Sequence, residues 1–503
     1  MKYSLLIGLL VVVIFVVNCH SEKKRSGKDL AKTYCGSCHL FPEPGLLDKK
    51  TWEANILPVM GSKLGIEFYD GQYAVALSQN KVKAQQHASI SFIDWMKLVD
   101  YYRAEAPAEM PSQNRQKIKE YSKSFLVKTP KARDNNPSAT LVKIDPGNQV
   151  IYVANSSDSS LSIFSKDLSR VSKIKIGKIA VHMDFNENLT VPGNRSGVLT
   201  NIGNFYPGNQ STGTVDSFYI RADRVIKLGA VMIDSLPRPV QTTAIKNSYG
   251  YTDYLVCGFG HETGALYYLS KKNTYSGYEK NLLNQQPGAI SAYTDDYNND
   301  GLPDFTVLFA QADESIYLFT NKGNGNFESK QILRFPPVYG STSFEMQDVN
   351  GDGLKDIIYT CGDNYDLSRV LKNYHGVYLY INRGNNNYVQ TFFFPLNGCY
   401  KAIGRDFDKD GDIDIAAISF FPDINQPQES FVYLENNGRL QFSPYTIPTF
   451  NKGRWITIDA ADIDSDGDED IVIGNMPLKD SFTNTSSGET GTPFLFLLNT
   501  TKR

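Results

Sequence analysis

Four stretches of the chain read alike: Asp296-Tyr-Asn298-Asn-Asp300-Gly301-Leu-Pro-Asp304, Asp348-Val-Asn350-Gly-Asp352-Gly353-Leu-Lys-Asp356, Asp406-Phe-Asp408-Lys-Asp410-Gly411-Asp-Ile-Asp414 and Asp462-Ile-Asp464-Ser-Asp466-Gly467-Asp-Glu-Asp470. Their starts are 52, 58 and 56 residues apart (348 − 296, 406 − 348, 462 − 406). Each supplies side-chain oxygens at positions 1, 3, 5 and 9 and a glycine at position 6, where a sharp turn needs one. Hard oxygen donors at alternate positions suit calcium, so up to four Ca2+ ions are expected. An EF-hand would also need glutamate at position 12, and that position holds Val307, Tyr359, Ala417 and Ile473. Instead, the ninth-position aspartate runs straight into an apolar, β-branched stretch, as at 305–309 and 471–473.

A period near this length, with several short strands per unit, marks the blades of a β-propeller. Upstream, 141–164, 181–220 and 240–269 carry strand-like runs of similar spacing without the acidic loop. Three such units and four acidic ones make a seven-bladed ring from 138 to 503, expected to close by pairing its first strand region with its last, at 494–498. Composition agrees: aromatic residues make up 12% of the chain, which favours pleated surfaces. The formal net charge of −3 gives no reason to expect nucleic acid as a partner. On these motifs, roughly residues 138–503 resemble the FG-GAP/VCBS repeat family, and the resemblance implies that the four acidic loops hold metal.

Ahead of the repeats, Tyr34-Cys35-Gly36-Ser37-Cys38-His39 contains Cys-x-x-Cys-His. Two thiols at this spacing add across the vinyl groups of a haem, and the next residue places an imidazole on the iron. A zinc site would want a second ligand pair nearby, and a thioredoxin-like dithiol would want a βαβ context; neither surrounds the motif. The flanks have helical spacing. A helix at 28–34 leads into the motif, 51–60 follows with Thr51 as its cap, and 90–102 presents Phe92, Ile93, Met96, Val99 and Tyr102 as an apolar face. Residues 28–106 thus resemble a small, all-α class I cytochrome c domain carrying one haem c. That resemblance implies a methionine as second axial ligand. Met60, between Pro58 and Gly61, is the candidate, with Met96 and Met110 as alternatives.

The first residues look like a targeting segment. Lys2 is followed by an uncharged apolar run over 4–17, too short to span a bilayer comfortably, then Cys19 and a hydrophilic stretch. Residues 1–19 resemble a bacterial lipoprotein signal, which implies lipidation of Cys19; a short uncleaved anchor is the alternative. Either places the chain outside the cytoplasm, periplasmic or at the cell surface, and anchored to a membrane. The pairing of such a signal with a cytochrome domain and a propeller resembles bacterial VCBS-repeat lipoproteins.

Between the two domains, 107–137 is polar and rich in proline and lysine and reads as a linker. Cys257, Cys361 and Cys399 read as small buried hydrophobes, with at most one disulfide among them. No serine-hydrolase elbow, phosphate-binding glycine loop or zinc-protease helix occurs. Loops just past the inner strands carry His261, Asp363, Asp366 and Asp423, and would share the propeller face opposite the acidic loops. His261 with Asp363 would fit a base and its orienting partner for alcohol oxidation. Three functions fit: an electron-transfer protein whose propeller docks a redox partner or substrate, a haem-linked dehydrogenase oxidising a sugar or alcohol on that face, and an adhesion or scaffold protein.

Overall fold

The computed structural model describes residues 25–69, 71–75, 89–113, 115–120, 124–186, 194–221, 224–247, 250–273, 277–364, 370–477 and 491–501. Cys19, the apolar run before it and Asp366 lie outside these residues. No helix among the described residues is long and apolar enough to cross a membrane.

The N-terminal part is a small helical unit. Ser26 and Asp29 form a reciprocal capping box that starts the helix Gly27–Tyr34. This helix tightens into the 3-10 turn Cys35–Ser37, on which the motif sits. A second helical run covers 49–63 and is capped by Asp48, whose carboxylate accepts from Thr51 N at 2.9 Å. The cap is therefore not Thr51, whose hydroxyl donates back to Asp48 at 2.6 Å. Pro58 cannot donate to the preceding turn, and the run widens there: Leu57 N bonds Trp52 O, giving the π-turn Trp52–Ile56 before the α-helix Leu57–Lys63 resumes.

The final helix, Phe92–Glu105, buries Trp95, Leu98, Val99 and Tyr102 at helical spacing. The expected apolar face was set one step around: Ile93 is 70% exposed and Phe92 lies at the surface. Nor is the unit all-α. An antiparallel hairpin, Ile66–Tyr69 against Gln72–Val75, stands between the last two helices. Leu30, Trp52, Leu57, Trp95, Leu98 and Tyr102 share one core.

The rest is a seven-bladed β-propeller. The blades run over 139–175, 180–236, 239–284, 289–334, 341–395, 399–446 and 455–499, and within each the strands pair antiparallel in chain order. The first strands of successive blades touch around the ring, with Trp455–Ala461 reaching Ala139–Asp145 to close it. Side chains on these inner strands tie one blade to the next. Asp184 accepts from Ala244 N (2.8 Å), Gln241 from Ala292 N (3.0 Å), Glu345 from Gly404 N (2.7 Å) and Asp459 from Ile144 N (2.8 Å). Each bond satisfies a backbone donor on a strand that has only one in-sheet neighbour.

The closing strand is not where the repeats predict it. The last strand, Phe494–Asn499, pairs with Phe125–Lys128, which lies within the stretch read as a linker. Lys119–Glu120 likewise adds a short fifth strand to the sixth blade, parallel to Phe442–Thr446. An apolar run this short, set among lysines and prolines, has no periodicity to announce it.

Phe125 is buried edge-on against Phe407 and Tyr433, with centroids 5.8 and 5.4 Å away. Phe125→Ala should therefore cost about 3–5 kcal/mol, as emptied aromatic sites do. A lowered urea midpoint at unchanged slope is the expected result. A loss below about 1 kcal/mol would mean that this strand does not hold the ring shut.

Candidate functional site

The acidic loops join the first strand of a blade to its second. In each, the first aspartate folds the loop onto itself: Asp296 accepts from Gly301 N at 2.8 Å, Asp348 from Gly353 N at 2.8 Å, Asp406 from Gly411 N at 3.2 Å and Asp462 from Gly467 N at 2.9 Å. Those glycines have φ between 82° and 97°, in the left-handed region, so position 6 requires glycine for its backbone. Folding this way gathers carboxylates. Ligand oxygens of Asp406, Asp408 and Asp410 lie within 4.8 Å of one another, as do those of Asp462, Asp464 and Asp470.

Asp406 Oδ1, Asp464 Oδ1 and Asp304 Oδ2 are buried without a hydrogen-bond partner among the described residues. Burial and the neighbouring Asp410 push the Asp408 carboxyl up to about 6. Burial raises Asp414 and Asp470 to about 7 and Asp468 also to about 7, the last helped by Asp466. Unpaired buried acceptors and crowded like charges are what a divalent cation relieves, so these donor sets fit a hard ion such as Ca2+.

The ninth aspartate has a second job that the spacing did not reveal. Asp304, Asp356, Asp414 and Asp470 are fully buried, and each reaches the end of the third strand of its own blade. They accept from Asn321 N, Asn382 N, Asn436 N and Asn499 N at 2.7–2.8 Å. The third blade has no acidic loop yet keeps the same tie: Asp253 accepts from Lys271 N at 2.8 Å and from Tyr268 Oη at 2.6 Å. The tie therefore does not depend on a metal. Its signal in the sequence is the asparagine that ends the third strand of each blade with an acidic loop, as in Asn321-Lys-Gly323, Asn382-Arg-Gly384 and Asn436-Asn-Gly438.

At the other end of the ring sits the helical unit. Val338 and Val370, from propeller loops, pack against its core. Lys63 reaches Glu262 at 3.1 Å, an exposed pair that fixes orientation more than it adds stability. Cys35 and Cys38 are unbridged, and burial raises the Cys35 thiol to about 11.

His39 is nearly buried, and its Nδ1 lies 3.0 Å from the Leu40 carbonyl. A carbonyl only accepts, so Nδ1 carries the proton and Nε2 presents its lone pair. Burial also lowers the His39 pKa, which favours the neutral ring a metal requires. Asp313 and Arg334 of the fourth blade stand near enough for their charges to act on this imidazole.

Met60 lies inside the helix Leu57–Lys63, half-buried in the same cluster as Cys35 and Met96. A side chain at Gly61 would come 3.0 Å from the Trp95 ring, so glycine lets this helix seat closely. Trp95 Nε1 and Tyr73 Oη are buried with no hydrogen-bond partner among the described residues. Two unused donors in the core that also holds Cys35 are compatible with a bound group bearing polar substituents, as haem does.

The residues predicted on this face do not converge. His261 stands in the third blade beside Glu262, where its own backbone N bonds Thr263 O. Asp363 is in the fifth blade, its backbone N on Gly340 O. The fourth blade lies between them, and no hydrogen bond or ion pair joins the two side chains among the described residues, so the base–orienter pair does not form. Asp423 lies elsewhere again, at a cleft with Arg115 and Glu429. Sequence reasoning missed Glu314, 2% exposed, which accepts from Ser341 N at 2.8 Å and is pushed by burial to about 7. Cys257, Cys361 and Cys399 are buried and unbridged, as small hydrophobes would be.

Residues 296–359 and 406–473 match the FG-GAP-like repeat, a span that takes in all four acidic loops. No curated protein matches the chain. Among solved structures, the N-terminal domain of Nup159 is 11% identical, covering 77% of this chain and 99% of its own at a TM-score of 0.43. BBS1N in complex with ARL6DN is 10% identical, covering 76% and 98% at 0.45. A luciferin-regenerating enzyme is 10% identical, covering 74% and 95% at 0.36. Likeness at this level carries no argument about activity.

Proposed function

We propose that this chain is an exported, lipid-anchored c-type cytochrome that transfers electrons, with a calcium-bearing propeller as the platform for its partner or substrate. Cys35 and Cys38 would hold the haem covalently, and His39 and Met60 would bind its iron. The haem supplies one-electron chemistry. The chain orients the imidazole through Leu40, keeps it neutral by burial and seats the motif on the propeller face. The observation that carries this reading is His39, whose Nδ1 is committed to a carbonyl while Nε2 is left to bind. Calcium in the acidic loops holds the opposite end of four blades rigid, so that the loops around Asp363 and Asp423 keep a fixed geometry.

Screening redox proteins, sugars and alcohols for haem reduction tests the function. Asp363→Ala should slow reduction by the active donor at unchanged haem content. Wild-type rates in that variant would remove this face from the electron path. Met60→Ala should lose any methionine-to-iron charge-transfer band and lower the potential. An unchanged spectrum would pass the role to Met96 or Met110. Cys19→Ser should leave the membrane fraction, and unchanged recovery there would exclude the lipid anchor.

A further inference from the structure

Residues 110–113 and 115–118 lie on the same propeller face and enclose, with loops of the fifth and sixth blades, a cleft of about 540 Å³. Its floor is built and fixed. Arg115 forms an ion pair with Glu429, and its Nη2 donates to Asn397 Oδ1 at 3.0 Å. Glu429 and Asn397 are each 2% exposed, and Glu429 Oε2 also accepts from Asn397 N at 3.3 Å. The charges cancel: Arg115 and Lys117 against Asp423 and Glu429, two of each sign. Arg115 is therefore already answered, and nothing in the cleft calls for a charged ligand.

What remains is an amide lining. Gln113, Gln116, Asn373, Gln426 and Gln428 face the space. A primary amide offers a donor and an acceptor side by side, which matches neighbouring hydroxyl groups. Gln113 is the telling one. Its Nε2 donates to Asn373 O at 3.0 Å, which fixes the amide, while its Oε1 is buried with no partner among the described residues. A buried acceptor left unsatisfied costs free energy, so a small rotation of this amide toward the cleft, where a ligand hydroxyl can donate to it, is favoured once such a ligand is present.

We infer that this cleft binds a small, neutral, polyhydroxylated molecule, a saccharide or polyol, through Gln113 and the surrounding amides. The inference does not rest on the haem reading, because binding is measured without electron transfer. Titration calorimetry on the full-length protein with glucose, galactose, maltose, cellobiose and mannitol tests it, with gluconate and glucosamine as charged controls. At least one neutral probe should bind with unit stoichiometry, and both controls at least tenfold more weakly. Gln113→Leu, which removes the acceptor at similar shape, should weaken that probe at least tenfold. Gln428→Ala, at a half-exposed position, should also weaken it and decides the matter where Gln113→Leu fails to fold. Absence of binding by every neutral probe, tighter binding of a charged control, or wild-type affinity in Gln428→Ala overturns the inference.

Discussion

Stripping divalent cations should lower the melting temperature of the propeller by on the order of 10 °C or more, and calcium should restore it. Each site contributes about 2.7 kcal/mol when free calcium stands about a hundredfold above its dissociation constant. Even two occupied sites then exceed the effect of most single substitutions. The dependence on pH has a definite sign. Asp414 and Asp470 rise on folding from an ordinary carboxyl value of 3.8 to about 7, so without metal the folded state holds their protons more tightly than the unfolded one. Their contribution to metal-free stability is full below the unfolded value and is lost as pH rises through about 7. The stripped protein should therefore melt at a lower temperature at pH 8 than at pH 5, and the gain from calcium should be larger at pH 8. Differential scanning calorimetry at both pH values, with EGTA or calcium, reads this. Equal melting temperatures with and without metal would show the loops to be empty or idle.

Replacing Cys35 and Cys38 together with alanine should abolish covalent haem, while His39→Ala should retain the attachment and change the spectrum. Thioether bonds depend on both thiols, whereas the axial imidazole governs spin state and potential. Neither change should unfold the propeller, whose core clusters contain none of these residues. Haem content by absorbance after denaturation, set beside propeller melting, separates the two. Retention of haem on the chain without both cysteines would remove the thioether assignment.

The ring was legible because four acidic loops repeat with a glycine where the backbone turns left-handed, and because the ninth aspartate opens a strand in each. The closing strand was not legible. Phe125–Lys128 is too short to show alternation, and its burial against Phe407 and Tyr433 comes from distant chain. The motif and its helical flanks were readable from spacing. The widening at Trp52–Ile56, which absorbs Pro58 and lets the helix run on through Met60, has no signature in the spacing.

The loop residues failed in another way. His261 and Asp363 each sit on the expected face, but on blades that are not neighbours, and the repeats do not say which loop side chains meet. Gln113 and Arg115 were hidden for a related reason, since a polar stretch reads as linker until the surface it crosses is known.

The most direct test is whether the purified chain carries haem through covalent bonds. Intact mass and visible absorbance of the denatured protein measure this. One haem per chain, remaining with the polypeptide after denaturation, is the result predicted. A chain with the bare polypeptide mass and no visible absorbance, or with zinc held at Cys35, Cys38 and His39 instead, would contradict it.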